Sequence, residues 1–192
     1  MIEIKHKTTG EVLHSVDADS LEGRNMARAQ LGCADLTGFD LAGVDFQHAD
    51  LHEVDFSNAF LEGADMSGAC MNDATLDGAA LSKANLTDAF LRRASLREAN
   101  LSGANMRYVK AEGANFYGAN MTATDCSLAD LRGNLNDANL SRADLRGADL
   151  TGALFLTRGQ AQSAVGDPTT RIPDRFRRPD HWCSAQEEVE QQ

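Results

Sequence analysis

The 192-residue chain is poor in aromatic residues and in cations, with one Trp, two Tyr and eight Phe, and 18 Lys plus Arg against 29 Asp plus Glu. The formal charge is −11 and the sequence pI is near 4.8. Nonspecific binding to nucleic acid or to an anionic membrane needs clustered Lys and Arg, so neither is expected. No apolar run approaches the roughly 20 residues of a membrane span. The start, Met1-Ile-Glu-Ile-Lys-His-Lys, lacks the apolar core of a secretory signal, so the expected location is the cytoplasm. The three prolines (Pro168, Pro173, Pro179) all sit late in the chain. The four cysteines (Cys33, Cys70, Cys126, Cys183) have no CxxC spacing, which suggests neither a disulfide nor zinc. GxSxG, a GxGxxG leading from strand to helix, a P-loop and HExxH are all missing. No enzyme activity and no cofactor are expected.

Ala and Leu are in excess, at 29 and 21 copies. Their arrangement is periodic. From residue 19 the chain reads in fives, with central residues at 21, 26, 31 and onward to 131. The frame then slips by one residue and resumes at 135, 140, 145, 150 and 155, giving 28 pentads. Leu, Met or Phe is central in 26 of the 28, and Ala lies two residues earlier in 20 of them. A period of five fits neither a helix face nor an alternating strand. It does place a small and a large apolar residue two apart, on one face of an extended segment. The remaining positions are polar or Gly, which suits a turn. An extended piece plus a bend, repeated, winds into a coil, and each coil buries its apolar pair against its neighbours.

The motif A-(D/N)-L-x-x over residues 19–157 resembles the signature of the pentapeptide-repeat family. That resemblance implies an all-β solenoid, a right-handed quadrilateral β-helix with four pentads per coil. On that basis 28 pentads make about seven coils and a rod of roughly 34 Å. Phe56, Phe116 and Phe155 then share one interior face, once the slip is absorbed. Residues 1–18 read as a β-hairpin capping the first coil, with strands around Ile2–Lys7 and Val12–Val16. Thr157 is positioned to N-cap a short helix through about Val165, ended by Gly166-Asp-Pro. The rest of 158–192 is an irregular capping tail that looks like those of bacterial members, with Ile172, Phe176 and Trp182 available to pack on the last coil. The final Glu187–Gln192 stretch is expected to fray.

His48 and His52, with Asp50 and Glu53 nearby, read as solvated turn residues rather than metal ligands. Charge placement is more informative. Residues 29–82 hold ten acids and no Lys or Arg, while 83–147 hold nine basic residues and seven acids. The residue before the centre is Asp six times in seven between 35 and 65, and Asn five times in eight between 85 and 120. Asp and Asn serve a turn about equally, so this switch carries charge information that the fold does not need. On the four-pentad coil, ten charges span about 13 Å, a linear density comparable with the one charge per 1.7 Å or so of duplex DNA.

The expected function is a non-catalytic protein-interaction scaffold. Its candidate acidic surface is Asp35, Asp40, Asp45, Asp50, Asp55 and Asp65, and its candidate apolar spots are the outward Phe60 and Phe90. The resemblance implies an alternative. Some members, including the fluoroquinolone-resistance group, mimic duplex DNA and bind DNA gyrase. The expected partner is another protein, unspecified on the first reading and one with a basic surface such as a topoisomerase on the second, with no direct nucleic-acid or membrane contact. Those members pair through an apolar C-terminal helix. The C-terminal segment here is polar and broken by Pro, so a monomer is expected.

Overall fold

The computed structural model describes residues 1–183. Its strands β1 (Ile2–His6) and β2 (Val12–Val16) form an antiparallel hairpin, with Ile2 opposite Val16 and a register shift between Ile4 and Lys5. From Asn25 onward the chain is a stack of short parallel bridges. Asn25 pairs with Asp45, Gln30 with Asp50, Asp35 with Asp55 and Asp40 with Phe60, and each ladder then climbs in steps of twenty residues as far as the coil ending at Asp130. The four ladders are the sides of a β-helix. Parallel pairing of this kind leaves no strand unpartnered except at the two ends.

Each pentad is built the same way. The central residue and the one two before it point inward, so Leu51, Val54, Phe56 and Ala59 are all fully buried. A four-residue turn follows the centre, closed by bonds such as Ala49 N–H to Phe46 O at 3.0 Å. The third residue of most of these turns has positive φ, the type II pattern, with Gly152 in the turn after Leu150 an exception. Gly fills many of these positions, but so do Arg28, His48, Lys83, Tyr108 and Leu128. The turn also uses the residue before the centre. Asp35, Asp45, Asp55 and Asp65 each accept, through Oδ1, the backbone N–H two residues on. Asn85, Asn100 and Asn120 do the same. Charge is irrelevant to that bond.

The low aromatic count has its cause here. A narrow interior lined by Ala on one position and Leu or Met on the next has room for few large rings. Phe46 and Phe56 occupy it edge to face, 6.0 Å apart. Val109 compensates for the small centre Ala111, both fully buried. Cys126, a centre, is buried, and that burial pushes its thiol far above the ordinary cysteine range.

The one-residue slip is absorbed at a single corner. Leu131 and Leu135 stay buried, and the bridges after it step by nineteen (Asn115 to Asn134, Asn120 to Asn139) for one coil. Gly133 takes the interior position that Ala holds elsewhere, and its N–H bonds back to Leu131 O at 2.8 Å. The shortened corner pulls this backbone inward. A Cβ at Gly133 would lie 2.3 Å from Ala114 O.

Both ends differ in part from expectation. At the start, β1 pairs with β3 (Ala34–Asp35), Lys5 opposite Asp35, and Ile4 closes the core. The hairpin therefore covers one ladder edge, and Asn25, Gln30 and Asp40 begin theirs without such a strand among the described residues. At the far end, Phe155 is not an interior residue. It is 63% exposed with φ 58°, and Leu156, one position later, fills the core instead. The backbone must leave the coil here to reach α1 (Arg158–Ser163), and the left-handed turn at Phe155 redirects it. Thr157 caps α1 in a capping box with Gln160, as its sequence suggests. The helix ends at Ser163, before Val165, because the ladder needs that residue extended: Leu145 N–H bonds Val165 O at 2.7 Å. Arg171 continues the neighbouring ladder on Asp149. Trp182 is buried, in a 3-10 turn at Asp180–Trp182, with its indole N–H on Ala164 O at 3.2 Å. Ile172 and Phe176 pack beside the core. Glu187–Gln192 lie outside the described residues. Among the described residues no helix is long and apolar enough to cross a membrane.

Candidate functional site

The six candidate carboxylates lie on all four sides. Asp45 and Asp65 share one ladder, and Asp35 and Asp55 share another. Asp50 and Asp40 stand on the remaining two. They form an acidic collar, with no single face holding them all. Within a ladder, like charges sit about 4.8 Å apart, one strand spacing. Some of that repulsion is relieved by amides: Gln47 and Asn85 both donate to Asp65, each at 3.0 Å. Asn over Asn forms a neutral ladder higher up, as where Asn120 donates to Asn100 at 3.1 Å.

Lys and Arg are missing beside these carboxylates, as they are beside Asp77, Asp88, Glu98 and Asp137 among the described residues. Among the described residues Asp35, Asp40, Asp45, Asp55 and Asp65 make no ion pair, and Asp50 pairs only with the ring of His52, at 2.6 Å. His48 leans over Gly68, away from that pair. No group of three or more His, Cys, Asp or Glu is arranged to hold a metal ion among the described residues.

Farther along, acids and bases are stapled together. Arg93 grips Asp73 with Nε at 2.7 Å and Nη2 at 2.6 Å. Arg132 holds Asp130 the same way and reaches Glu112 at 3.5 Å and Asp149 at 3.8 Å. Arg171 adds Asp149 at 3.0 Å, and Arg146 grips Asp144. These guanidinium hydrogen bonds hold the Asp73, Asp130 and Asp144 carboxyls below the ordinary carboxylate range. The acid counts of the two segments, ten against seven, thus understate a difference in availability. The signal was present as spacing: Asp73 and Arg93, and Glu112 and Arg132, are each one coil apart.

The sign of the pH effect follows from those lowered values. Unfolded carboxyls protonate near pH 4. The stabilisation from these pairs is full above that and is lost as pH falls through the lowered native values. Melting temperature is expected to drop between pH 5 and pH 2, and Asp130→Asn should lower it at pH 7 while flattening the drop. Equal slopes for the two proteins in a pH series of thermal melts would contradict this role for Arg132–Asp130.

The two apolar spots differ. Phe60 is 56% exposed, flanked along its ladder by Asp40 and Ala80. Phe90, on the opposite side, is half-buried between Cys70 and Lys110, whose Nζ lies 4.3 Å from the ring centroid. Only Phe60 therefore adjoins the acidic collar with an open ring. Tyr108, Leu128 and Leu154 are exposed apolar residues that the sequence pattern did not single out, and Phe155, expected inside, joins them.

The family model of pentapeptide repeats matches in eight copies, over residues 29–68, 74–107, 99–133 and 134–155. No curated protein matches the chain. Among solved structures it is similar to HetL of the cyanobacterium Nostoc, a pentapeptide repeat protein involved in regulating heterocyst differentiation. That match has 30% identity over 77% of this chain and 76% of that one, with a TM-score of 0.35. It is similar to a pentapeptide repeat protein of the Arabidopsis thaliana thylakoid lumen, at 26% identity over 55% and 63% of the two chains and a TM-score of 0.28. It is also similar to full-length QnrB1, a plasmid-mediated fluoroquinolone resistance protein, at 18% identity over 78% and 92% of the chains and a TM-score of 0.31. With the repeat model covering more than half its length, the chain belongs to the pentapeptide-repeat family.

Proposed function

We propose that the protein is a non-catalytic scaffold whose acidic collar docks a cytoplasmic protein with a basic surface. The rod itself reads as right-handed, with about seven coils. One observation carries the proposal: five carboxylates, Asp35, Asp40, Asp45, Asp55 and Asp65, stand without cationic partners within one short stretch of the rod, whereas Asp73, Asp130, Asp144 and Asp149 are each held by an Arg. Unpaired charge costs solubility nothing and steers a complementary partner at long range. Phe60 supplies an apolar anchor within the collar.

The test neutralises charge without touching the turn. Asn keeps the Oδ1 acceptor that Asp offers, so Asp35→Asn/Asp45→Asn/Asp55→Asn/Asp65→Asn should melt within a few degrees of the parent. Captured from native cytoplasm and quantified by mass spectrometry, the partner should be retained by the parent and reduced about tenfold or more on the variant, with weaker salt dependence. Identical capture by both proteins would sink the docking role, and a large fall in melting temperature would show the carboxylates to be structural.

A second reading is favoured by the density of these free charges: the collar acts as a DNA mimic for gyrase or a related topoisomerase. A supercoiling assay with and without quinolone separates the two readings. Inhibition or protection at micromolar protein, lost in the four-Asn variant, supports mimicry. No effect on gyrase leaves the scaffold reading alone.

A further inference from the structure

A cleft of about 140 Å³ lies between α1 and the segment 176–180, at the opposite end of the rod from the acidic collar. Its charged lining is Arg158, Arg177, Arg178 and Asp180, and its apolar floor includes Ala161 and Phe176. Three guanidiniums against one carboxylate leave it a net charge of +2, in a protein of formal charge −11. The lone carboxylate is already engaged, with Asp180 Oδ1 3.3 Å from Arg177 Nη2. Arg178 is pinned by a bond from Nη2 to Thr170 O at 2.8 Å, while its Nε is buried without a hydrogen-bond partner. Arg158 makes no ion pair among the described residues. Trp182, packed on Gly166 and bonded to Ala164 O, ties the segment carrying Arg177 and Arg178 to the last coil, while Arg158 leaves from α1.

We propose that this cleft binds a phosphate monoester, with the phosphate among Arg158, Arg177 and Arg178 and a small carbon group on Ala161 and Phe176. A phosphate monoester carries about −1.5 to −2 charges at pH 7, which matches the cleft, whereas a monocarboxylate leaves it undercompensated. Guanidinium forks suit the geometry of phosphate oxygens. The volume admits a phosphate and a small group, and excludes a nucleic-acid strand. The site stands apart from the acidic collar and does not depend on it.

The test uses the full chain and three probes by titration calorimetry: phenyl phosphate, inorganic phosphate and benzoate. Phenyl phosphate is expected to saturate below about 1 mM and to bind about tenfold tighter than benzoate, with inorganic phosphate between them. Arg158→Gln and Arg177→Gln should each weaken phenyl phosphate about tenfold at unchanged melting temperature. Asp180→Asn should tighten it by releasing Arg177. Benzoate binding as tightly as phenyl phosphate would overturn the proposal. So would phenyl phosphate binding that both Arg substitutions leave intact, or the absence of saturable binding in the parent.

Discussion

Gly133→Ala is expected to destabilise the protein by about 3 kcal/mol, out of proportion to one added methyl group. Ala is the residue that the repeat prefers at this position, and almost every other coil carries it there. The difference lies in the missing residue of the preceding turn. With the corner shortened, the backbone at Gly133 runs so close to the coil below that a Cβ would sit 2.3 Å from Ala114 O and 3.2 Å from Ala114 N. Both atoms are already bonded: Ala114 O accepts the ladder bond from Asn134 N–H at 2.9 Å, and Ala114 N–H closes its own turn on Ala111 O at 3.0 Å. Neither can move without breaking one of these bonds. Gly63→Asn is the contrasting change, in an open left-handed turn position where Asn58 already sits one pentad earlier, and it should shift stability by no more than about 0.5 kcal/mol. Urea denaturation of both variants decides the matter. A loss under about 1 kcal/mol for Gly133→Ala would mean that the corner has slack.

Trp182→Ala is expected to cost about 3–5 kcal/mol, but only at one end of the molecule. Trp182 is among the largest fully buried side chains, and its ring lies flat on Gly166, where a Cβ would come within 2.4 Å. Removing it leaves a hole beneath the tail and takes the indole N–H from Ala164 O, which keeps only His181 Nε2 at 3.1 Å. A solenoid's coils touch only their neighbours, so the loss should stay local. Amide exchange at Val165 and Arg171, which extend two ladders, should speed by about two orders of magnitude or more. Exchange at Leu51, Phe56 and Leu61 should not change. Uniform acceleration along the rod would show instead that the end cap and the first coils unfold as one unit.

The repeat was legible in the sequence because each pentad solves the same burial problem, so centres such as Leu51 or Met66 announce themselves by spacing alone. Phe155 misled because it obeys the spacing while the backbone there is already leaving the coil, a demand set by α1 and not by the pentad. Val165 was read as helical for the same kind of reason: its neighbours favour a helix, and the open ladder edge at Asp144 overrides them. The acidic residues were legible as a segment, but their isolation was not. Whether a carboxylate is paired depends on which Arg side chain reaches it, from one coil above or below, as Arg93 does for Asp73, or from two positions on, as Arg132 does for Asp130. The cleft at Arg158, Arg177 and Arg178 left no trace in the pattern, because it joins a helix and an irregular tail.

The twenty-residue step of the bridges has a consequence for how such a chain can change length. Each pentad turns the backbone by a quarter of a coil, so the side on which a residue stands depends on how many pentads precede it. Losing one pentad near Leu36 would leave the interior intact, yet carry every later surface residue round to the neighbouring side. Asp55 and Asp65 would each change ladders, and Arg93 and Asp73, moving together, would keep their grip. Losing a whole coil would shorten the rod and rotate nothing. The single-residue loss before Gly133 does neither, since the corner takes it up and the ladders above stay in line. In this architecture a pentad is a unit of rotation and four pentads are a unit of length.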